Sequence, residues 1–148
     1  MEKKMYKHIL IPTDGTALSK KAIDHGLALA KVVNARVTTV TVSRPYSTLV
    51  IEPDTITETP EDYKQRIASN AAKHLAVARD AARVSGVKCD EVHVVHEHVY
   101  QGIVDTAKDR GCDLIVMASH GRRTSALLVA SETANVLTNC ALPVLVHR

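Results

Sequence analysis

Two junctions in this sequence join a short apolar strand to a turn that carries small and charged residues. The second junction, residues 113–123, reads DLIVMASHGRR and ends in Arg122 and Arg123. Small side chains let backbone amides approach an anion, and arginine neutralises phosphate charge, so this junction has the chemistry of a phosphate site. The first junction, residues 8–15, reads HILIPTDG and brings the carboxylate of Asp14. Together the two junctions predict a nucleotide pocket in an α/β protein.

The elements that must position these junctions alternate between strands and helices. Short apolar or β-branched runs predict strands over residues 7–12, 37–42, 92–95, 114–118 and 142–146. Apolar residues at helical spacing predict helices over residues 18–33, 60–85, 103–110 and 131–138. Asn34, Gly86 and Gly111 are suited to end the first three helices, and Thr59 followed by Pro60 is a strong start for the second.

Strands separated by helices predict an α/β fold with a doubly wound parallel sheet and helices on both faces. Ligands of such sheets bind beyond the carboxyl ends of the strands, where the winding reverses. If the first and fourth strands are neighbours, Asp14 and Gly121 face each other across that crevice, but periodicity alone leaves the adjacency open. Residues 44–59 contain two prolines and no consistent period, and a connection of this length is typical of a lid.

Composition restricts the class of protein. The 148 residues, 45% apolar and 24% charged, predict a single globular domain over residues 1–148. No apolar run approaches the length of a membrane span and the start lacks a secretory signal, so we expect a cytoplasmic protein without membrane insertion. The net charge of +3 and the absence of Trp and Phe argue against a nucleic-acid partner. Cys89, Cys112 and Cys140 lie too far apart for a C-x-x-C motif and are expected to be reduced thiols.

Three motifs, in this order, resemble the universal stress protein family. They are ILIPTDG at residues 9–15 before an Ala-rich helix, DLIVMASHGRR at 113–123 and LPVLV at 142–146. The resemblance covers essentially the whole chain. It implies a Rossmann-like, adenine nucleotide alpha hydrolase-like fold of five parallel strands in the order 3-2-1-4-5, which supplies the adjacency of the first and fourth strands.

The ATP-binding branch of this family carries a pattern of Gly, two residues, Gly, nine residues, and then Gly-Ser or Gly-Thr. This sequence has Ala118 at the first Gly and Ala130 at the last, with eight residues after Gly121 instead of nine. An added methyl costs about 1–2 kcal/mol where φ is positive, and it can obstruct a phosphate. Ser131, at the start of the last predicted helix, still suits an anion.

By this resemblance the protein binds ATP, with or without Mg²⁺, and AMP or ADP are alternative ligands. The resemblance implies that adenine and ribose contact Pro12, Thr13, Asp14 and Val42. It implies that ribose and phosphates contact Met117, Ala118, His120, Gly121, Arg122, Ala130, Ser131 and Thr133. Without the family, Asp14 is equally well explained as an Asx-turn and Ser131 as a helix N-cap.

The favoured function is a stress-response protein in which ATP occupancy biases the 44–59 connection or a dimer, with slow or absent hydrolysis. The alternative is a nucleotide-free member of the family that acts through an unidentified protein partner, which Ala118 and Ala130 favour. A flavin-binding electron carrier is disfavoured because the chain has no Trp or Phe to cover the ring. The apolar last strand predicts a homodimer through Val144, Leu145 and Val146, as the family also implies.

Other chemistry has little support. A metal site is one interpretation of the three histidines His93, His96 and His98. Of these, His96 and His98 are expected to share one face of a strand. Two imidazoles without a third ligand are weak evidence, so these residues are interpreted as surface histidines and no metal is assigned. No Ser-His-Asp or Cys-His group can be assembled, and no catalytic residue is assigned.

Overall fold

The computed structural model describes residues 5–48, 58–119 and 132–148. The order of elements in these residues is β1 (His8–Pro12), α1 (Ala17–Val33), β2 (Arg36–Ser43), α2 (Pro60–Ser85), β3 (Cys89–Val95), α3 (Val99–Asp109), β4 (Leu114–Ala118), α4 (Glu132–Asn139) and β5 (Val144–His147). A short 3₁₀ turn, Tyr46–Thr48, follows β2. The strands form one parallel sheet in the order β3-β2-β1-β4-β5. The predicted fold and the adjacency of β1 and β4 are therefore confirmed.

Each face of the sheet has its own hydrophobic core. On one face, Ile9 and Ile11 of β1 pack with residues of α1 and α2 such as Leu27 and Ala78. On the other face, Leu10 packs with residues of β4, α3 and α4. Because successive residues of a strand point to opposite faces, β1 and β4 must be apolar at almost every position. This two-sided burial confirms the prediction of helices on both faces.

The helix ends agree with the end signals in the sequence. Thr59 accepts a hydrogen bond from the amide of Asp62 at the start of α2. Asn34 and Gly86 both adopt left-handed conformations at the ends of α1 and α2, with φ of 59° and 73°. An Asn or Gly in this conformation lets the helix carbonyls find amide partners while the chain turns away. In the described part of the chain, no helix is both long and apolar enough to cross a membrane.

The least accurate predictions concern β3, α3 and β5. The strand β3 begins at Cys89, three residues earlier than predicted. Its first residues were not predicted as strand because Asp90 interrupts the apolar pattern. Asp90 pairs at 2.8 Å with Arg36 on the neighbouring strand. The helix α3 begins at Val99 instead of residue 103, and no side chain caps its start. The strand β5 begins at Val144, two residues later than predicted.

The prediction that His96 and His98 share one face of a strand is wrong. β3 ends at Val95, and both histidines lie in the short connection before α3. Their rings are 6.2 Å apart, and Nδ1 of His96 accepts a hydrogen bond from the backbone amide of His98 at 2.9 Å. The ring of His96 therefore helps to shape the connection that leads into α3.

A buried histidine at the opposite end of β1 makes stability depend on pH. The Nε2 atom of His8 lies 2.6 Å from the hydroxyl of Thr38, and burial, followed by the charge of Arg36, lowers the pKa of His8 below 6.5. In the unfolded chain the imidazole protonates near pH 6.5, whereas in the native state it stays neutral to a lower pH. The unfolded state thus binds more protons in that window, and the free energy of unfolding is expected to fall on acidification.

We expect urea unfolding at pH 7.5 and at pH 5 to show this loss of stability in the wild type. The chain has seven other histidines, so the contribution of His8 is measured as the difference between wild type and His8→Gln. Gln removes the titrating group and retains polar atoms near Thr38. The difference in free energy of unfolding between wild type and His8→Gln should shrink as the pH falls. An equal acid sensitivity in both proteins would assign the effect to other groups.

Candidate functional site

The turn after β1 is held rigidly by buried hydrogen bonds of Thr13. The amide of Thr13 donates to the carbonyl of Val40 at 2.9 Å, and the hydroxyl of Thr41 donates to the carbonyl of Thr13 at 3.0 Å. The hydroxyl of Thr13 lies 2.6 Å from that of Ser19 on α1. Thr13 is thus a buried residue that joins β1, β2 and α1, and its side chain already has a partner inside the protein.

Asp14 is exposed at the carboxyl end of β1. Its Oδ1 accepts hydrogen bonds from the amide of Thr16 at 3.0 Å and from the hydroxyl of Thr16 at 2.6 Å. Thr16 in turn caps α1 by accepting from the amide of Ser19. The Asx-turn considered from the sequence is therefore present. Oδ2 of Asp14 has no partner within the described residues, which leaves this oxygen able to accept a hydrogen bond from a ligand.

His74 of α2 closes the same turn from one side, and sequence reasoning missed it. Gly15 has a φ of +81°, and an ideal Cβ placed on it would lie 2.4 Å from Cδ2 and Nε2 of the imidazole. Nδ1 of His74 is buried and has no hydrogen-bond partner in the part of the chain that is described. Only the glycine of the turn hinted at this close approach, because nothing in the spacing of α2 marks His74.

Val42 and Met117, predicted to contact the ligand, are packed against the core. A Cβ built on Gly102 of α3 would lie 2.8 Å from Cγ1 of Val42, so the two elements are in close contact. Met117 is buried in the core on this same face of the sheet. Pro12 is half-buried at the end of β1. The predicted roles of these residues in binding stay predictions.

The end of β4 is tied to the start of α4. The hydroxyl of Thr133 lies 2.9 Å from the carbonyl oxygen of Ala118 and 3.1 Å from that of Ser119, and its proton is shared between them. This contact fixes the first turn of α4 above the strand. The other predicted residues of this corner lie outside the described residues: His120, Gly121, Arg122, Ala130 and Ser131.

A charged pair joins the end of β2 to the start of α4. Nη2 of Arg44, just after β2, lies 4.0 Å from Oε1 of Glu132, the first residue of α4. The strand β1 lies between β2 and β4, and two strand spacings amount to about 10 Å. The pair therefore links elements at the carboxyl ends of β2 and β4, which lie on either side of β1 in the sheet. Oε2 of Glu132 is buried without a hydrogen-bond partner in the described ranges.

The two ends of the predicted lid are held together, although residues 49–57 of it lie outside the described residues. The hydroxyl of Tyr46 donates to the carbonyl of Glu58 at 2.8 Å, and that of Tyr63 donates to the carbonyl of Arg44. The guanidinium of Arg66 lies over the ring of Tyr63 and donates to Glu58 at 2.9 Å, which lowers the pKa of Glu58. The backbone on both sides of the connection is thus anchored to α2.

The described residues offer little for redox or metal chemistry. Burial raises the pKa of the Cys112 thiol to about 11 and also raises that of Cys89, so both thiols are protonated and unreactive at neutral pH. Cys140 is half-buried and free. Within the described ranges, no three or more His, Cys, Asp or Glu residues come together in a way that could hold a metal ion.

Comparisons with known proteins agree in one family. A family model described as the universal stress protein family matches residues 5–148. The chain is 29% identical to universal stress protein MJ0531 of Methanocaldococcus jannaschii, over 96% of this chain and 82% of that protein. The solved structure of MJ0577, from the same organism, is 28% identical with a TM-score of 0.79 and covers 97% of this chain and 96% of its own. A universal stress protein solved in complex with cAMP is 25% identical with a TM-score of 0.71, over 97% of both chains.

Proposed function

Because the chain belongs to the universal stress protein family, we propose that it binds ATP in the crevice at the carboxyl ends of β1 and β4. The observation that carries the proposal is the parallel order β2-β1-β4, since it brings three carboxyl strand ends to one edge of the sheet, with the exposed Asp14 directly after β1. The relative solved with cAMP supports an adenine nucleotide as the ligand class. In parallel α/β sheets, the crevice beyond the strand ends is the usual ligand site.

The residues around this crevice have distinct roles in the proposal. Oδ2 of Asp14 accepts a hydrogen bond from the sugar or the base, while Oδ1 keeps the turn in shape. Pro12 and Val42 provide apolar surface beside it. The first amides of α4 attract phosphate, because a helix N-terminus carries partial positive charge. Mg²⁺ arrives bound to the phosphates, as is usual for this ion.

The ligand acts as a conformational switch in this proposal. Arg44 faces the crevice through its side chain, and its backbone carbonyl is held by the hydroxyl of Tyr63 on α2. A phosphate that draws the guanidinium of Arg44 toward itself therefore pulls on the start of the connection between β2 and α2. This coupling gives the bound and empty states different surfaces for a partner protein.

Calorimetric titration with Mg-ATP, AMP and cAMP tests the proposal, with GTP as the control for recognition of the base. The variant Asp14→Asn keeps an oxygen that can accept from Thr16 but removes the charge. We expect it to weaken ATP binding about tenfold, the value of one charge-assisted hydrogen bond, with little change in melting temperature. Asp24→Asn, an exposed residue of α1 paired with Lys20, is the matched control and should bind like the wild type.

The possible results separate the two candidate functions. Equal affinities for wild type and Asp14→Asn would mean that Asp14 serves only the turn. If the purified protein releases no nucleotide and none binds in the titration, the nucleotide-free alternative is the correct one.

We also infer a homodimer through β5. This strand closes the sheet at one edge, where it pairs only with β4 among the described strands. Its residues Val144, Leu145 and Val146 are half-buried in the single chain. An apolar edge strand is a template for pairing with another chain, and a second copy offers the same edge.

A further inference from the structure

We propose that Glu132 makes the crevice discriminate between ligands by their phosphate charge, disfavouring a triphosphate relative to a monophosphate or a nucleoside. The inference rests on the proposed binding of adenine nucleotides. It begins from the position of Glu132 as the first residue of α4. The start of a helix carries partial positive charge that favours a phosphate, so a carboxylate at this position repels the same ligand.

The geometry of the carboxylate supports this role. One oxygen of Glu132 lies 4.0 Å from Nη2 of Arg44, and the other is buried without a partner in the described ranges. The side chains of Arg44 and Glu132 remain 55% and 38% exposed. An exposed pair at this distance contributes little to stability. Its main effect is therefore on the electrostatic potential that a ligand meets.

Arg44 links this potential to the ligand. Among the described residues it is the cation paired with Glu132, and it follows β2, whereas the start of α4 is tied to the end of β4. An incoming phosphate competes with the carboxylate for this guanidinium and, once bound, leaves Glu132 without its counter-ion. Each additional phosphate charge increases the repulsion, whereas adenosine meets none of it. The effect of Glu132 on affinity should therefore be measured as a function of the charge of the ligand.

The experiment measures the dissociation constants of adenosine, cAMP, AMP and ATP for the wild type, Glu132→Gln and Arg44→Gln. We expect Glu132→Gln to bind ATP about tenfold more tightly and AMP a few-fold more tightly, with adenosine unchanged. Arg44→Gln should weaken ATP and again leave adenosine unchanged. Added salt should reduce both effects, because both side chains are partly exposed to solvent.

Glu91→Gln is the matched control. Its carboxylate pairs with Arg79 at 3.3 Å at the edge strand β3, so the same charge is removed without facing the crevice. This control should bind all four ligands like the wild type. A change of the same size in Glu91→Gln would mean that net charge, and not the position of Glu132, sets affinity, which would overturn the inference.

The remaining outcomes separate the inference from the proposed function. If adenosine and the nucleotides bind but Glu132→Gln shifts none of them, Glu132 is merely an acid that stabilises the start of α4, and the inference is wrong while the proposed function stands. If neither the wild type nor any variant binds adenosine or a nucleotide, the proposed function fails and the inference fails with it.

Discussion

Gly15→Ala is expected to lower the free energy of unfolding by about 2–5 kcal/mol, as the sum of two separate costs. The first is conformational, because Gly15 has a φ of +81°, where a Cβ costs about 1–2 kcal/mol. The second is steric, because the new methyl would lie 2.4 Å from the imidazole of His74. Forcing the half-buried ring aside to accept such a group costs about 1–3 kcal/mol. Urea unfolding of both proteins at neutral pH measures the sum.

A second glycine isolates the conformational part. Gly86 ends α2 with a φ of +73°, and a Cβ on it would meet nothing within 4 Å. Gly86→Ala should therefore cost only about 1–2 kcal/mol. The double variant Gly15→Ala with His74→Ala should recover most of the steric part, which a double-mutant cycle would report as a coupling energy. Equal costs at Gly15 and Gly86, with no coupling to His74, would contradict the close contact.

The strands of the sheet centre were predictable because they are buried on both faces. β1 and β4 read as unbroken apolar runs, and their observed bounds differ from the predicted ones by one residue at most. The edge strand β3 was harder to delimit, since none of its residues is fully buried and Asp90 and Glu91 pair with partly exposed arginines. Periodicity detects burial, and it weakens wherever a strand meets water.

The candidate site was predictable in position but not in contacts. The turn at Asp14 lies where the β-strand order puts it, yet the hydroxyl of Thr13 and the side chain of Met117 face the protein interior. His74 comes from a helix whose placement against the turn depends on packing, and the pair of Glu132 with Arg44 joins elements that are far apart in the sequence. A one-dimensional pattern carries no information about which helix residue stands over a glycine or across from an arginine.

Val146→Pro is expected to convert the proposed dimer into a monomer, because of the direction in which the backbone groups of β5 point. The carbonyls of Pro143 and His147 accept hydrogen bonds from the amides of Ile115 in β4 and of Ser119 just after it, at 3.1 and 2.9 Å. Backbone groups alternate in direction along a strand, so the amide of Val146 points away from β4, toward the free edge. Proline at this position therefore removes a donor from the edge and leaves the pairing with β4 intact.

In a symmetric dimer each substitution is present twice, and each removes one edge donor and adds a ring where the partner strand must approach. At about 1 kcal/mol for each lost hydrogen bond, plus the steric conflict, the dimer should weaken at least about a hundredfold.

Light scattering with size-exclusion chromatography at micromolar concentration should then give the mass of a dimer for the wild type and of a monomer for Val146→Pro. Val146→Thr keeps both the amide and the β-branched shape, so it should remain dimeric. A monomeric wild type would refute the dimer, whereas a dimeric Val146→Pro with an unchanged circular dichroism spectrum would place the interface on another surface.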